Sequence, residues 1–72
     1  MNLDEIKAAV LAGKLVHWAS PLYVVKYSER IKEFYIVCLD NQHIIGLTWR
    51  DGVTMNGEPK DFYISGYKLK PH

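Results

Sequence analysis

Cys38, Asp40 and His43 lie close together in the chain and are the residue types that nucleophilic catalysis combines: nucleophile, orienting carboxylate and base. Their setting argues against that use. Cys38 falls inside the apolar run "FYIVCL", mid-strand, where no loop or helix N-terminus would activate the thiol, so a buried, inert cysteine is expected. Zinc needs further ligands, and His17, His43 and His72 share no ligand spacing. Asp40, Asp51, Glu58 and Asp61 all stand in turn-like surroundings rather than as acids paired in a cleft. The stretch "GLTWRDG" has glycines but neither a Walker lysine nor a following helix. A chain of 72 residues also leaves little volume for a ligand pocket. No enzyme, cofactor or metal is expected.

The residues that remain are those of binding. Five Tyr, two Trp and two Phe are interleaved with scattered Lys and Arg. On an open sheet face, aromatic rings beside Lys26, Lys32, Arg50 and Lys68 would suit stacked single-stranded bases. Nine basic against eight acidic side chains is too even for the basic excess that nucleic-acid binders carry, so this stands as the alternative to protein binding.

These residues must be positioned by one small domain spanning 1–72. "NLDEIKAAVLAGK" has Leu3, Ile6, Ala9 and Val10 at helical spacing, Asn2 as N-cap, Glu5 at the capping-box offset and Gly13 as terminator, which predicts a helix over about 3–12. Strands are expected at about 14–20, 22–28, 33–40 and 43–50, with Ser20-Pro21 breaking the first from the second. Asp51-Gly52 is a two-residue hairpin signal and predicts a short fifth strand at 53–55. Asn56-Gly57 and Pro59 interrupt it, and 61–69 is expected to return as an edge strand or else to pack as an irregular arm. The fold class is α+β: an N-terminal helix packed on a four- to five-stranded antiparallel meander.

The expected strands are apolar on both sides. Tyr23, Val25 and Tyr27 oppose Leu22 and Val24; Tyr35, Val37 and Leu39 oppose Phe34, Ile36 and Cys38. A half-wet sheet should alternate apolar with polar, and one three-turn helix cannot cover two faces. Either Phe62, Ile64 and Leu69 fold back over the second face, or another chain covers it. Trp18, Tyr23, Tyr35, Trp49, Arg50 and Tyr63 are the expected contacts, since aromatics and Arg anchor interfaces. The partner would be a second copy, giving a homodimer, or a dedicated protein. His17 is expected to be half-buried at the surface. The opening residues lack the features of a signal peptide and no apolar run reaches membrane-spanning length. With its lone thiol, the chain is read as cytoplasmic.

"GKLVHW", "YIVC" and "IGLTWRDGVTMNGEPKDF" together resemble a group of small proteins of bacteria and tailed phages that carries no established activity. The likeness spans nearly the whole chain and is most specific from Gly46 to Phe62. It implies an accessory protein of a phage or prophage acting by binding a host or viral protein, and it puts no residue in a catalytic role.

Overall fold

In the computed structural model, residues 1–67 are described; Lys68, Leu69 and His72 lie outside the described residues. Helix α1 covers Leu3–Leu11. The Asn2 side chain accepts the Glu5 amide at 2.8 Å and the Glu5 carboxylate accepts the Asn2 amide at 2.9 Å, a complete capping box. Such a cap contributes about 0.5–2 kcal/mol, useful to a helix too short to persist alone. Ala12 and then Gly13, at φ 84°, end it and turn the chain into the sheet.

Five antiparallel strands follow: β1 (Lys14–Trp18), β2 (Ser20–Ser28), β3 (Glu33–Cys38), β4 (Ile44–Gly46) and β5 (Phe62–Tyr67), in the order β4-β3-β2-β1-β5. The α+β architecture, with the helix packed on one antiparallel sheet, is as expected, and β1 to β4 form a meander. Three boundaries differ. Ser20-Pro21 does not separate two strands, because Ala19, at φ 65°, already makes the turn and Pro21 lies inside β2. The ladder steps from His17↔Val24 directly to Trp18↔Ser20, so Pro21 sits in a bulge that asks no amide of it. The fourth strand stops at Gly46 instead of Arg50. The backbone bends there, with Thr48 O 3.2 Å from where a Cβ on residue 46 would stand, and Asn56 Nδ2 donates to Gly46 O at 2.9 Å.

The third difference concerns the strand expected at 53–55. Thr48 and Met55 form one isolated bridge, Trp49 N–H donates to Thr54 O, and no fifth strand grows beside β4. The chain instead runs as an arm past α1, makes a 3₁₀ turn at Pro59–Asp61, and adds β5 beside β1. The Met1 ammonium donates to Pro59 O at 2.6 Å, and Ala19 N–H donates to Asp61 O at 2.9 Å, so the arm is tied at both the helix and β1.

Strand register settles which face is covered. Tyr23, Val25 and Tyr27 oppose Cys38, Ile36 and Phe34, on the same side as Val16 and Phe62. With Ile6, Ala9 and Val10 of the helix and Leu47 of the arm these form the core, joined at its margin by Met55. Cys38 is buried there as a free thiol. Phe62 therefore folds inward, but onto the face that α1 already covers. Among the described residues, nothing folds over the other face.

Candidate functional site

The open face is built from the alternate residues of the same strands. Val24↔Val37↔Ile44 and Lys26↔Tyr35↔Gly46 run across β2, β3 and β4, and His17↔Val24 and His17↔Tyr63 extend the layer over β1 to β5. Val24 and Val37 are buried by their neighbours on the sheet, whereas Leu22 (51% exposed), Leu39 (47%) and Ile44 (62%) stand in solvent. Across β3 and β4 Gly46 faces Tyr35 and offers no side chain, leaving a groove of about 360 Å3 walled by Tyr35, Ile44 and Ile31. Lys26 and Glu33 are the charged members of this sheet face, and Glu33 also lines the groove.

The six expected contact residues divide among three places. Tyr35 and Tyr63 belong to the open face, half-buried and exposed respectively. Trp49 and Arg50 stand exposed on the loop after β4. Trp18 and Tyr23 turn toward the covered side, where their rings meet edge-on at 5.0 Å and Trp18 also approaches Phe62 at 6.5 Å. Their parity was readable, but the side on which the helix docks was not. Leu22, Leu39 and Ile44, the most exposed apolar groups of the face, are not among the expected contacts, which are aromatics and Arg. Their lack of polar alternation was the signal.

His17 departs from expectation: it is buried, 5% exposed, rather than half-exposed. The Tyr63 ring lies 5.3 Å away and β5 closes its flank. Nδ1 is 3.0 Å from the Tyr23 carbonyl, which can only accept, so that nitrogen carries the proton; Nε2 then accepts from the Ser65 hydroxyl at 2.7 Å. The pair ties the edge strand to β1 beside the register shift between Leu15 and Val16. His43 and Asp40 are exposed, and among the described residues no three His, Cys, Asp or Glu side chains converge as metal ligands.

The Trp49 loop is held by one carboxylate. Asp51 Oδ1 accepts the Val53 and Thr54 amides at 2.9 Å each, and Oδ2 accepts the Thr54 hydroxyl at 2.6 Å. Gly52, at φ 72°, closes the turn with its N–H on Trp49 O. Asp51-Gly52 thus turns the chain as expected, but the side chain captures the amides that a two-residue hairpin would have given to its ladder. The Thr54 hydroxyl first, and then the two amides, hold the Asp51 carboxyl below its ordinary 3.8. The charged form is the one the folded loop favours. Its contribution is therefore complete above the ordinary value and is lost as pH falls through the lowered one. In an acid titration followed by NMR, the Val53 and Thr54 amides should shift with a midpoint below 3.8; a midpoint at or above it would refute the role given to Asp51.

The fold and surface define an α+β domain with one covered and one uncovered sheet face. Comparison of the chain with family models, curated proteins and solved structures finds no match. Among the described residues no helix is long and apolar enough to cross a membrane.

Proposed function

We propose that this protein is a non-enzymatic binding module whose uncovered sheet face takes another protein chain, with a second copy of itself as the first partner. The observation that carries the reading is the exposed apolar set Leu22, Leu39 and Ile44 around buried Val24 and Val37, over which no described segment of the chain folds. Monomeric proteins keep contiguous patches of this kind small unless they are used. The charged members, Lys26 and Glu33, are of opposite sign, so a twofold axis passing between them would set each against its opposite on the second copy. Strand lengths and spacing put the face at roughly 450 Å2, about half the area per partner of a standard interface. The self-complex is accordingly weak and concentration-dependent. The likeness to small bacterial and phage proteins fits the same reading, with an accessory role in a phage or prophage and a host or viral protein as the other partner.

The alternative, single-stranded nucleic acid on the sheet, draws support from Tyr35 beside Lys26 and from exposed Tyr63. It is weaker because Trp18 and Tyr23 stack inward and aliphatic side chains dominate the face.

Light scattering over a concentration series separates the readings. Mass should rise toward twice 8.3 kDa at high concentration, and Ile44→Asp should abolish the rise while leaving the circular dichroism unchanged. A strict monomer at millimolar concentration, or an Ile44→Asp variant that associates equally well, would overturn self-association. Salt-dependent retention of oligonucleotide, lost in Lys26→Ala, would favour the alternative.

A further inference from the structure

A second concave surface lies at the β4 edge, toward the helix side of the sheet, and adjoins the open-face groove at Glu33, Phe34 and Gly46. It is a cleft of about 310 Å3, at the lower end of the range for ligand pockets. Three cations converge on it from three elements: Lys7 from α1, Lys32 from the loop between β2 and β3, and Arg50 from the Trp49 loop. Lys32 holds φ 56°, an uncommon backbone state for a side-chain-bearing residue, at the point where its loop enters β3. The Lys7 ammonium sits 5.6 Å from the Phe34 ring centroid. Glu33 is the one carboxylate of the lining, against three cations. The one ion pair among the described residues, Lys60 with Glu58, lies elsewhere.

Phe34 and Trp49 supply apolar surface between the cations, beside Thr48 and the backbone of Gly46 and Gly52. Trp49 is 62% exposed on a loop that Asp51 keeps in shape, so a large indole is held ready at the rim without packing of its own. Three cations against one carboxylate, beside exposed apolar surface, are half of a complementary contact.

We propose that this cleft binds an acidic peptide segment, with carboxylates on Arg50 and Lys32 and an adjacent apolar side chain against Phe34 and Trp49. A peptide is favoured over a nucleic-acid strand by three features. The cations meet at one place instead of tracking a backbone, Glu33 would oppose a continuous run of phosphates, and the chain as a whole is only at +1. Arg gives a carboxylate two parallel hydrogen bonds, and the exposed Trp supplies the apolar anchor. The site meets the open face at Glu33 and Gly46, but Lys7, Lys32, Trp49 and Arg50, which carry the proposal, line the cleft and not the open-face groove.

The test uses the full chain and a fluorescein-labelled hexapeptide, Glu-Glu-Leu-Phe-Glu-Glu, with its Gln-for-Glu counterpart and a thymidine oligonucleotide as competing probes. The acidic peptide should bind with an affinity that falls as salt rises, roughly tenfold tighter than the Gln peptide. Binding should shift the emission of exposed Trp49 to the blue. Arg50→Ala, Lys32→Ala and Trp49→Ala should each weaken it several-fold. All three side chains are exposed, so circular dichroism should confirm an intact fold. Lys60→Ala, which removes an exposed cation outside both surfaces, should leave peptide binding unchanged. Absence of binding, equal binding of the Gln peptide, indifference to all three substitutions, or preference for the oligonucleotide would each overturn the proposal.

Discussion

Leu47→Ala should cost about 2–5 kcal/mol of unfolding free energy, the largest effect expected of any substitution in the arm. Leu47 is 1% exposed and sits in the core cluster with Ile6, Ile36 and Phe62. It is the first residue after β4 and the point at which the arm leaves the sheet for the helix side. Removing its isobutyl group leaves a cavity beneath the arm, and the arm's other ties cannot close over it. Met1 is bound to Pro59, and Asn56 is bound to both Gly46 O and Leu47 O. A domain of 72 residues has roughly 4–11 kcal/mol in total, at roughly 0.05–0.15 kcal/mol per residue. The variant should therefore lose a large fraction of that stability, seen as a lower urea midpoint. Urea denaturation reads this directly. Leu47→Met, which conserves volume, should cost less than about 1.5 kcal/mol. Equal stabilities of the alanine variant and the parent would show that Leu47 is not packed as described.

Gly57→Ala is the second large effect, and its cause is steric. A Cβ at residue 57 would lie 2.5 Å from Trp18 Nε1, 3.1 Å from Cε2 and 3.2 Å from Cδ1. The indole has little room to give way. Tyr23 stands edge-on to it at 5.0 Å, Phe62 lies 6.5 Å away, and the Trp18 backbone pairs with Ser20 on one side and Phe62 on the other. Overpacking of this kind costs about 1–3 kcal/mol, and each kcal/mol lowers Tm by about 4–8 °C in a domain of this size. Trp18→Phe in the Gly57→Ala background should recover part of the loss, because the smaller ring vacates the contested space. A double-mutant cycle measures that coupling. Additive losses would mean that the two residues do not touch.

Asn56-Gly57 shows what local sequence conveys and what it omits. As a dipeptide it signals a turn, and the chain does bend there. The reason residue 57 must be small is Trp18, distant in sequence, and no local rule contains that contact. Asp51-Gly52 behaves similarly. The turn is present, but the hydrogen-bonding capacity of Asp51 turns a hairpin signal into a loop that displays Trp49 and Arg50. Pro21 was legible as a residue that cannot serve a ladder; that a bulge would admit it depended on Ala19 taking a positive φ. The burial of His17 is not conveyed by its neighbours in the chain, because it depends on β5 pairing with β1 and bringing Tyr63 and Ser65 against it.

The sequence by itself determined the helix with its capping box, the strands from β1 to β3 and the fact that both faces of the sheet are apolar. These are consequences of neighbouring residues: hydrogen-bond reach at fixed offsets, and the two-residue period of a strand. Tertiary structure alone decided which face the helix covers, that the arm crosses on that same side, and that β5 closes on β1. Those choices depend on contacts between residues far apart in the chain, where many arrangements bury similar apolar area and only side-chain fit separates them. The same choices leave Leu22, Leu39 and Ile44 in water and gather Lys7, Lys32 and Arg50 around one cleft.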